Sequence, residues 1–119
     1  MGREEVIRSY LQAMENGDMA ATLACFALGA TVKSPVYGSM PVEPFYERLY
    51  GDTTSAKVDI INIYGSVANE NAWAAHFDYK WTRKDSQSLA SSLVDLFTFD
   101  ETLGKIEHLE IIFDRGAMK

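Results

Sequence analysis

The chain has 119 residues, of which 47% are hydrophobic and 24% are charged, an ordinary composition for a globular protein with one core. We therefore predict a single domain over residues 1–119. The net charge of -6, with only 11 scattered Lys and Arg residues, argues against nucleic acid or an anionic membrane as the main partner. A single cysteine excludes an intrachain disulfide. Because no apolar run has membrane length, we expect a soluble, cytoplasmic protein.

The first thirty residues predict two helices. Residues 3–15 carry apolar side chains at the spacing of an amphipathic helix, and Gly17 suits the left-handed conformation that ends one. Asp18 then fits the N-cap of a second helix, which we expect to extend to about Ala27. Cys25 lies in that stretch and is predicted to be buried and unreactive.

The next segment predicts a short strand, a loop and a third helix. Residues 30–35 alternate, which places Val32 and Ser34 on one face. Proline and glycine between residues 35 and 41 indicate a loop. A helix is expected over residues 42–50, and residues 51–55 are expected to form a turn.

Four consecutive strands follow, at residues 57–64, 72–81, 88–99 and 106–113. Their connections are too short for crossovers, so the meander must be antiparallel. The adjacent apolar residues Ile60 and Ile61 indicate a β-bulge. This order of elements is that of an α+β fold, in which a curved, mostly antiparallel sheet wraps around the N-terminal helices and leaves a cavity.

Alternation along the strands predicts which side chains face that cavity. The inner row is aromatic and suits a flat apolar ligand; it contains Trp73, Phe77, Tyr79, Trp81, Phe97 and Phe113. His76 and His108 fall on the outer face, where a surface or dimer role is favoured over a catalytic one. The sequence contains no metal-ligand cluster and no cofactor motif, so neither a metal nor a cofactor is expected.

Two polar residues lie in otherwise apolar stripes. Asp95 shares the inner strand face with Leu93 and Phe97, where a carboxylate must be paired, hydrogen-bonded or protonated. It is either a structural Asp, which caps a loop or meets a cation across an interface, or a neutral acid that donates a hydrogen bond inside a pocket. Tyr10 lies in the apolar stripe of the first helix, where a core tyrosine with its hydroxyl at water is the ordinary interpretation.

Four segments together resemble the ketosteroid isomerases in order and spacing. They are Tyr-Leu-Gln-Ala-Met-Glu-Asn-Gly-Asp at residues 10–18, Ala-Thr-Val-Lys-Ser-Pro at 30–35, Phe-Tyr at 45–46, and Leu-Val-Asp-Leu-Phe-Thr-Phe-Asp-Glu at 93–101. The resemblance extends from about residue 3 to residue 114. It implies the cone-shaped α+β fold of the nuclear transport factor 2 (NTF2) and SnoaL-like superfamily, whose members are commonly dimeric.

The resemblance also implies roles for individual residues. Tyr10 and Asp95 match the family's oxyanion hole, in which a neutral Asp and a Tyr donate to a developing oxyanion. Tyr46 matches a supporting tyrosine, and Phe26 stands where another can occur. The family's general base is an Asp, but this chain has Ser34 there, and a serine hydroxyl cannot accept the proton near neutral pH. Steroid isomerisation is therefore expected to be poor or absent.

Three functions are compatible with these residues. The leading hypothesis is an isomerase or cyclase of a small hydrophobic carbonyl compound, with an unidentified base that is Asp95 itself if that group is ionised. The second is a non-catalytic protein that binds small hydrophobic ligands with the same donors. The third is a protein-interaction module that uses the outer sheet face. We also expect a homodimer through that face, where Val94, Leu96 and Ile112 would otherwise be exposed.

Overall fold

The computed structural model describes residues 2–119 and contains three α-helices and six strands. The helices are α1 (Arg3–Asn16), α2 (Met19–Leu23) and α3 (Val42–Asp52). The strands are β1 (Phe26–Ser34), β2 (Gly38–Pro41), β3 (Thr53–Gly65), β4 (Ala72–Arg83), β5 (Ser88–Phe99) and β6 (Ile106–Ile112), and a 3₁₀ turn follows at Arg115–Ala117. Over residues 2–119, no helix combines the length and the apolar character that crossing a membrane requires.

The strands form one sheet in the order β2-β1-β6-β5-β4-β3. Every neighbouring pair is antiparallel except β1 and β6, which are parallel. The predicted α+β class and the antiparallel meander of the last four strands are therefore confirmed. The predicted bulge is confirmed as well, because Ile60 lies opposite Phe77 and Asn62 opposite His76, which leaves Ile61 as the extra residue.

The ends of the first two helices follow partly from local sequence. Gly17 adopts φ 62° and closes α1, and the Asp18 side chain accepts a hydrogen bond from the Ala21 N–H at 3.0 Å, as an N-cap does. The prediction that α2 extends to Ala27 is wrong, since it ends at Leu23. Phe26 instead pairs with β6, and Gly29 adopts φ 81° where the register between β1 and β6 shifts.

Two other segments predicted as loop or turn belong to the sheet. Residues 38–41 form β2 because they pair with residues 31–34 of β1 in a hairpin. Residues 53–55 belong to β3 because they pair with the end of β4. In both cases a partner strand supplies the hydrogen bonds that decide the conformation.

The helices cover the concave face of the sheet, and one end of that face is filled by aromatic packing. The ring of Tyr10 contacts Phe26, Tyr46 and Phe97 edge-on, with centroid distances of 5.6, 6.0 and 5.8 Å. All four side chains are at least 95% buried. Cys25 is buried as predicted, and burial raises the pKa of its thiol.

Candidate functional site

A cavity lies at the other end of the concave face, between the sheet, α1, α3 and the loop after β1. Its volume, as space for the centres of water-sized molecules, is about 40 Å³, and it opens to solvent at its mouth. Among residues 2–119, the wall has two non-aromatic polar residues, Ser34 and Asp95. The rest of it is apolar or aromatic and consists of Met14, Val36, Tyr37, Phe45, Leu49, Phe77, Tyr79, Trp81, Leu93, Ile111 and Phe113. An apolar cavity with few polar groups is typical of a small-molecule site.

Asp95 lies in the cavity wall at the boundary with the filled end. It is 1% exposed, and neither carboxyl oxygen has a hydrogen-bond partner within residues 2–119. Burial alone raises the pKa of this carboxyl well above its usual range, because the anion would lose its hydration without gaining a partner. Within this chain Asp95 therefore neither caps a loop nor meets a cation, and its protonated form has a free O–H to donate.

Tyr10 and Tyr46 form a hydroxyl pair beside the cavity rather than in its wall. Their hydroxyl oxygens are 2.5 Å apart, and the Tyr10 hydroxyl also contacts the Met14 sulfur at 3.5 Å. Both tyrosines are fully buried, and burial raises the pKa of both hydroxyls. A consistent arrangement has Tyr46 donating to Tyr10, and Tyr10 donating to sulfur, which is a weak acceptor. Tyr10, which the resemblance places in the oxyanion hole, is therefore not a wall residue of this cavity.

Ser34 lies in the cavity wall, 9% exposed. Its Oγ accepts a hydrogen bond from the backbone N–H of Tyr37 at 3.0 Å, which fixes the loop that follows β1. Since its oxygen is engaged in this way, Ser34 retains only its O–H for a ligand. Residue 34, where the resemblance implies a carboxylate base, therefore contributes only a hydroxyl to the cavity wall.

The predicted aromatic row divides between the two ends of the concave face. Phe77, Tyr79, Trp81 and Phe113 line the cavity. Contrary to the prediction, Trp73 and Phe97 are not wall residues, and neither are Phe26 and Tyr46, which the resemblance gives as residues around the oxyanion hole. Phe26, Tyr46 and Phe97 pack around Tyr10 in the filled end. Trp73 lies opposite Phe97 in the sheet register, and its indole N–H donates to the Glu70 carbonyl at 2.8 Å.

Sequence reasoning missed a polar cluster near the cavity. The hydroxyl of Tyr37, a wall residue, donates to Asp52 at 2.7 Å and accepts from Arg83 at 2.9 Å. Burial is the main reason that the pKa of Tyr37 is raised to about 12. The Arg83 guanidinium lies over the Trp81 ring, 5.0 Å from its centroid. Arg83 extends the two-residue period of the inner row, so alternation could have identified it, whereas Tyr37 lies in a loop without such a signal.

Within residues 2–119, no three His, Cys, Asp or Glu side chains converge as metal ligands would. His76 lies opposite Val94 and His108 lies opposite Thr98 of β5, and the His108 Nδ1 is 2.7 Å from the Thr31 hydroxyl.

The fold has well-matched counterparts among solved structures. No family model matches the chain, and no curated protein matches it in sequence. A Δ5-3-ketosteroid isomerase from Mycobacterium sp. superimposes with a TM-score of 0.79 at 16% identity, covering 100% of this chain and 98% of that one. An epoxide hydrolase/cyclase-like enzyme with a role in pyran ring formation in the polyether salinomycin superimposes with a TM-score of 0.80 at 14% identity. The match covers 98% of this chain and 93% of that one.

An NTF2-like protein of unknown function from Burkholderia pseudomallei K96243 gives a TM-score of 0.79 at 16% identity, with 96% of this chain and 92% of that one covered. At such low identity these similarities concern the fold and leave the activity open. The chain has the NTF2-like α+β fold that ketosteroid isomerase-like and SnoaL-like proteins share.

Proposed function

We propose that this protein binds a small hydrophobic carbonyl or phenolic compound in the cavity, with the ligand oxygen at Asp95. One observation carries the proposal: a carboxyl group is buried in an apolar cavity wall and has no partner for either oxygen. Leaving such a group unsatisfied costs about 1–3 kcal/mol. A ligand oxygen that accepts the Asp95 O–H removes that cost, whereas a purely apolar ligand does not.

The same donor would polarise a bound carbonyl. When a proton leaves the carbon next to a carbonyl, negative charge develops on oxygen, and a preorganised O–H in a dry site stabilises it. The Tyr10 hydroxyl would become a second donor if it turned from the weakly accepting Met14 sulfur toward the ligand. These features support an isomerase- or cyclase-type reaction, with Ser34 in place of a carboxylate base. The alternative is ligand binding without turnover, which is favoured because Ser34 stands where the reaction would need a carboxylate base.

Matched ligands and variants test the role of Asp95. We expect the wild-type protein to bind 2-naphthol at least ~10-fold more tightly than 2-methylnaphthalene, which equals about 1.4 kcal/mol. The Asp95→Ala variant should lose this preference, because it keeps an apolar cavity without the donor. The control is Asp59→Ala, which makes the same change at an exposed position of β3. Titration calorimetry measures all three proteins, and equal binding of the two ligands by the wild type would contradict the proposal.

We also propose that a second copy of the chain covers the outer sheet face. Val94 lies opposite Ile112 and His76 in the sheet register, and Leu96 lies opposite Glu110 and Ala74, so these apolar side chains are contiguous. Leu96 is 40% exposed and Ile112 is 44% exposed. Pairing two such patches about a twofold axis would remove both from water.

A charge placed in this patch tests the proposed dimer. The wild type is expected to be a dimer in light scattering at tens of micromolar. Leu96→Lys should shift it to the monomer, because a charged side chain would have to be buried in the apolar interface. Leu103→Lys, at an exposed turn position away from the patch, should leave the mass unchanged. A monomeric wild type would overturn the proposal.

A further inference from the structure

The cavity opens to solvent between the loop that follows β1 and the end of β6. The wall residues that are partly exposed, and so mark the mouth, lie on these two segments: Val36, Tyr37, Ile111 and Phe113. The other wall residues of the described chain are buried. The parallel pairing of β1 with β6 ends at Lys33, before the loop begins, so the sheet does not close this gap. The loop therefore forms one side of the mouth.

A long-range contact holds this loop, which comprises residues 35–37, in place. The Tyr37 hydroxyl donates to Asp52 at 2.7 Å and accepts from Arg83 at 2.9 Å. The Arg83 guanidinium is in turn 3.6 Å from Asp52 and 3.1 Å from Asp85, and its side chain is only 13% exposed. Hydrogen bonds to ionised groups are about twice as strong as neutral ones. We call the Tyr37 hydroxyl with Asp52 and Arg83 the Tyr37 latch.

The latch lies outside the cavity wall, whereas the ring of Tyr37 belongs to the wall. Neither Asp52 nor Arg83 is a wall residue. The ring meets Phe45 edge-on at a centroid distance of 5.6 Å, and the Arg48 guanidinium lies 4.7 Å from the ring centroid. The hydroxyl therefore ties the loop to groups beyond the cavity, and the ring covers part of the mouth.

The cavity is too small for a two-ring ligand while the latch is closed. Its space for the centres of water-sized molecules is about 40 Å³, whereas an apolar cavity that accommodates benzene has about 150 Å³. A compound of the size of 2-naphthol can therefore enter only if part of the wall moves. Most of the wall belongs to helices and strands, whose backbones are held by regular hydrogen bonds. The loop is the part of the wall that can open at the lowest cost.

We propose that residues 35–37 are a lid over the cavity and that the Tyr37 latch limits the rates at which a ligand enters and leaves. The latch is present whenever the lid is closed, with or without a ligand, so it slows both steps. The inference rests on the proposed function for the ligand alone, because opening of the lid can be measured on the empty protein.

Hydrogen exchange of the ligand-free protein tests the lid itself. Tyr37→Phe keeps the ring and removes the hydroxyl, and it should speed amide exchange in residues 36–38 by ~10-fold, because a hydrogen bond to a charged group no longer opposes opening. The control is Tyr50→Phe, which removes a hydroxyl that is bonded to Thr22 and lies outside this cavity. Its exchange in this segment should equal that of the wild type. Mass spectrometry of the peptides gives the rates, and equal exchange in Tyr37→Phe and the wild type would overturn the lid.

Ligand kinetics test the role of the latch. In stopped-flow experiments that follow the fluorescence of 2-naphthol, Tyr37→Phe and Asp52→Ala should each raise the association and dissociation rate constants by ~10-fold, whereas Tyr50→Phe should leave both unchanged. A rise in the dissociation rate constant alone would overturn the proposal, because the hydroxyl would then contribute to affinity and not to opening. If 2-naphthol does not bind to the wild type, the proposed function fails and the exchange rates alone decide whether the lid exists. The conservative Tyr37→Phe change gives the result even if Asp52→Ala does not fold.

Discussion

Replacing Ser34 with Asp is expected to raise the isomerisation rate of a Δ5-3-ketosteroid by ~10-fold or more, which corresponds to about 1.4 kcal/mol of barrier. The Ser34 side chain lies in the cavity wall, so a carboxylate there can approach a bound ligand. It can also keep the hydrogen bond from the Tyr37 N–H that Ser34 now accepts. General-base catalysis typically raises a rate by ~10²–10⁴-fold. We expect only ~10-fold or more here because the new carboxylate is not ideally placed. The assay follows formation of the conjugated enone by its ultraviolet absorbance.

Two further variants make that result specific. Ser39→Asp adds the same charge at an exposed position of β2 and should give no increase over the wild type. Adding Asp95→Ala to Ser34→Asp should abolish the increase, because an oxyanion donor is typically worth ~10²–10³-fold. If Ser34→Asp folds normally and binds 2-naphthol but shows no increase, the cavity is not arranged for proton abstraction. Ligand binding without turnover would then be the favoured function.

Asp95→Asn is expected to make the protein more stable at neutral pH, by an amount that grows with pH. The pKa of Asp95 is raised in the folded state by burial, whereas in the unfolded chain it is ~3.9. Above that value the unfolded chain has lost a proton that the folded protein keeps, so the free energy of unfolding falls as the pH rises. The loss is about 1.4 kcal/mol per pH unit and stops once the pH exceeds the raised pKa. An asparagine does not titrate, so the variant avoids this loss.

Urea denaturation across the pH range measures the effect. The free energies of unfolding of the two proteins should be similar near pH 3, where Asp95 is mostly protonated in both the folded and the unfolded state, and should diverge steadily above pH 4. The control is Asp59→Asn, which removes a carboxylate that is exposed in the folded protein. Its free energy of unfolding should differ from that of the wild type by the same amount at every pH. A constant difference between Asp95→Asn and the wild type from pH 4 to pH 8 would show that Asp95 is ionised in the folded protein. In that case its role as a hydrogen-bond donor would have to be abandoned.

Local sequence was sufficient to predict the last four strands, apart from the start of β3, and their faces. Successive side chains of a strand point to opposite sides of the sheet, so alternation alone assigned Asp95, Phe77 and Tyr79 to the inner face. The end of α1 at Gly17 and the N-cap at Asp18 were also predictable, because a cap depends on residues within one helical turn. The resemblance to ketosteroid isomerases then identified the fold that the structural comparisons support.

Only the tertiary structure decided where on that face the cavity lies. Alternation cannot tell which end is filled by helix side chains, so it could not separate Phe97, packed on Tyr10, from Phe77 in the wall. It also could not predict that the Tyr10 hydroxyl is taken by Tyr46, a residue on another helix. The early end of α2 and the contact between Tyr37 and Arg83 likewise depend on partners distant in the chain, and β2 depends on its pairing with β1. Hydrogen bonds and packing between such residues form only when the chain is folded, so no local pattern records them.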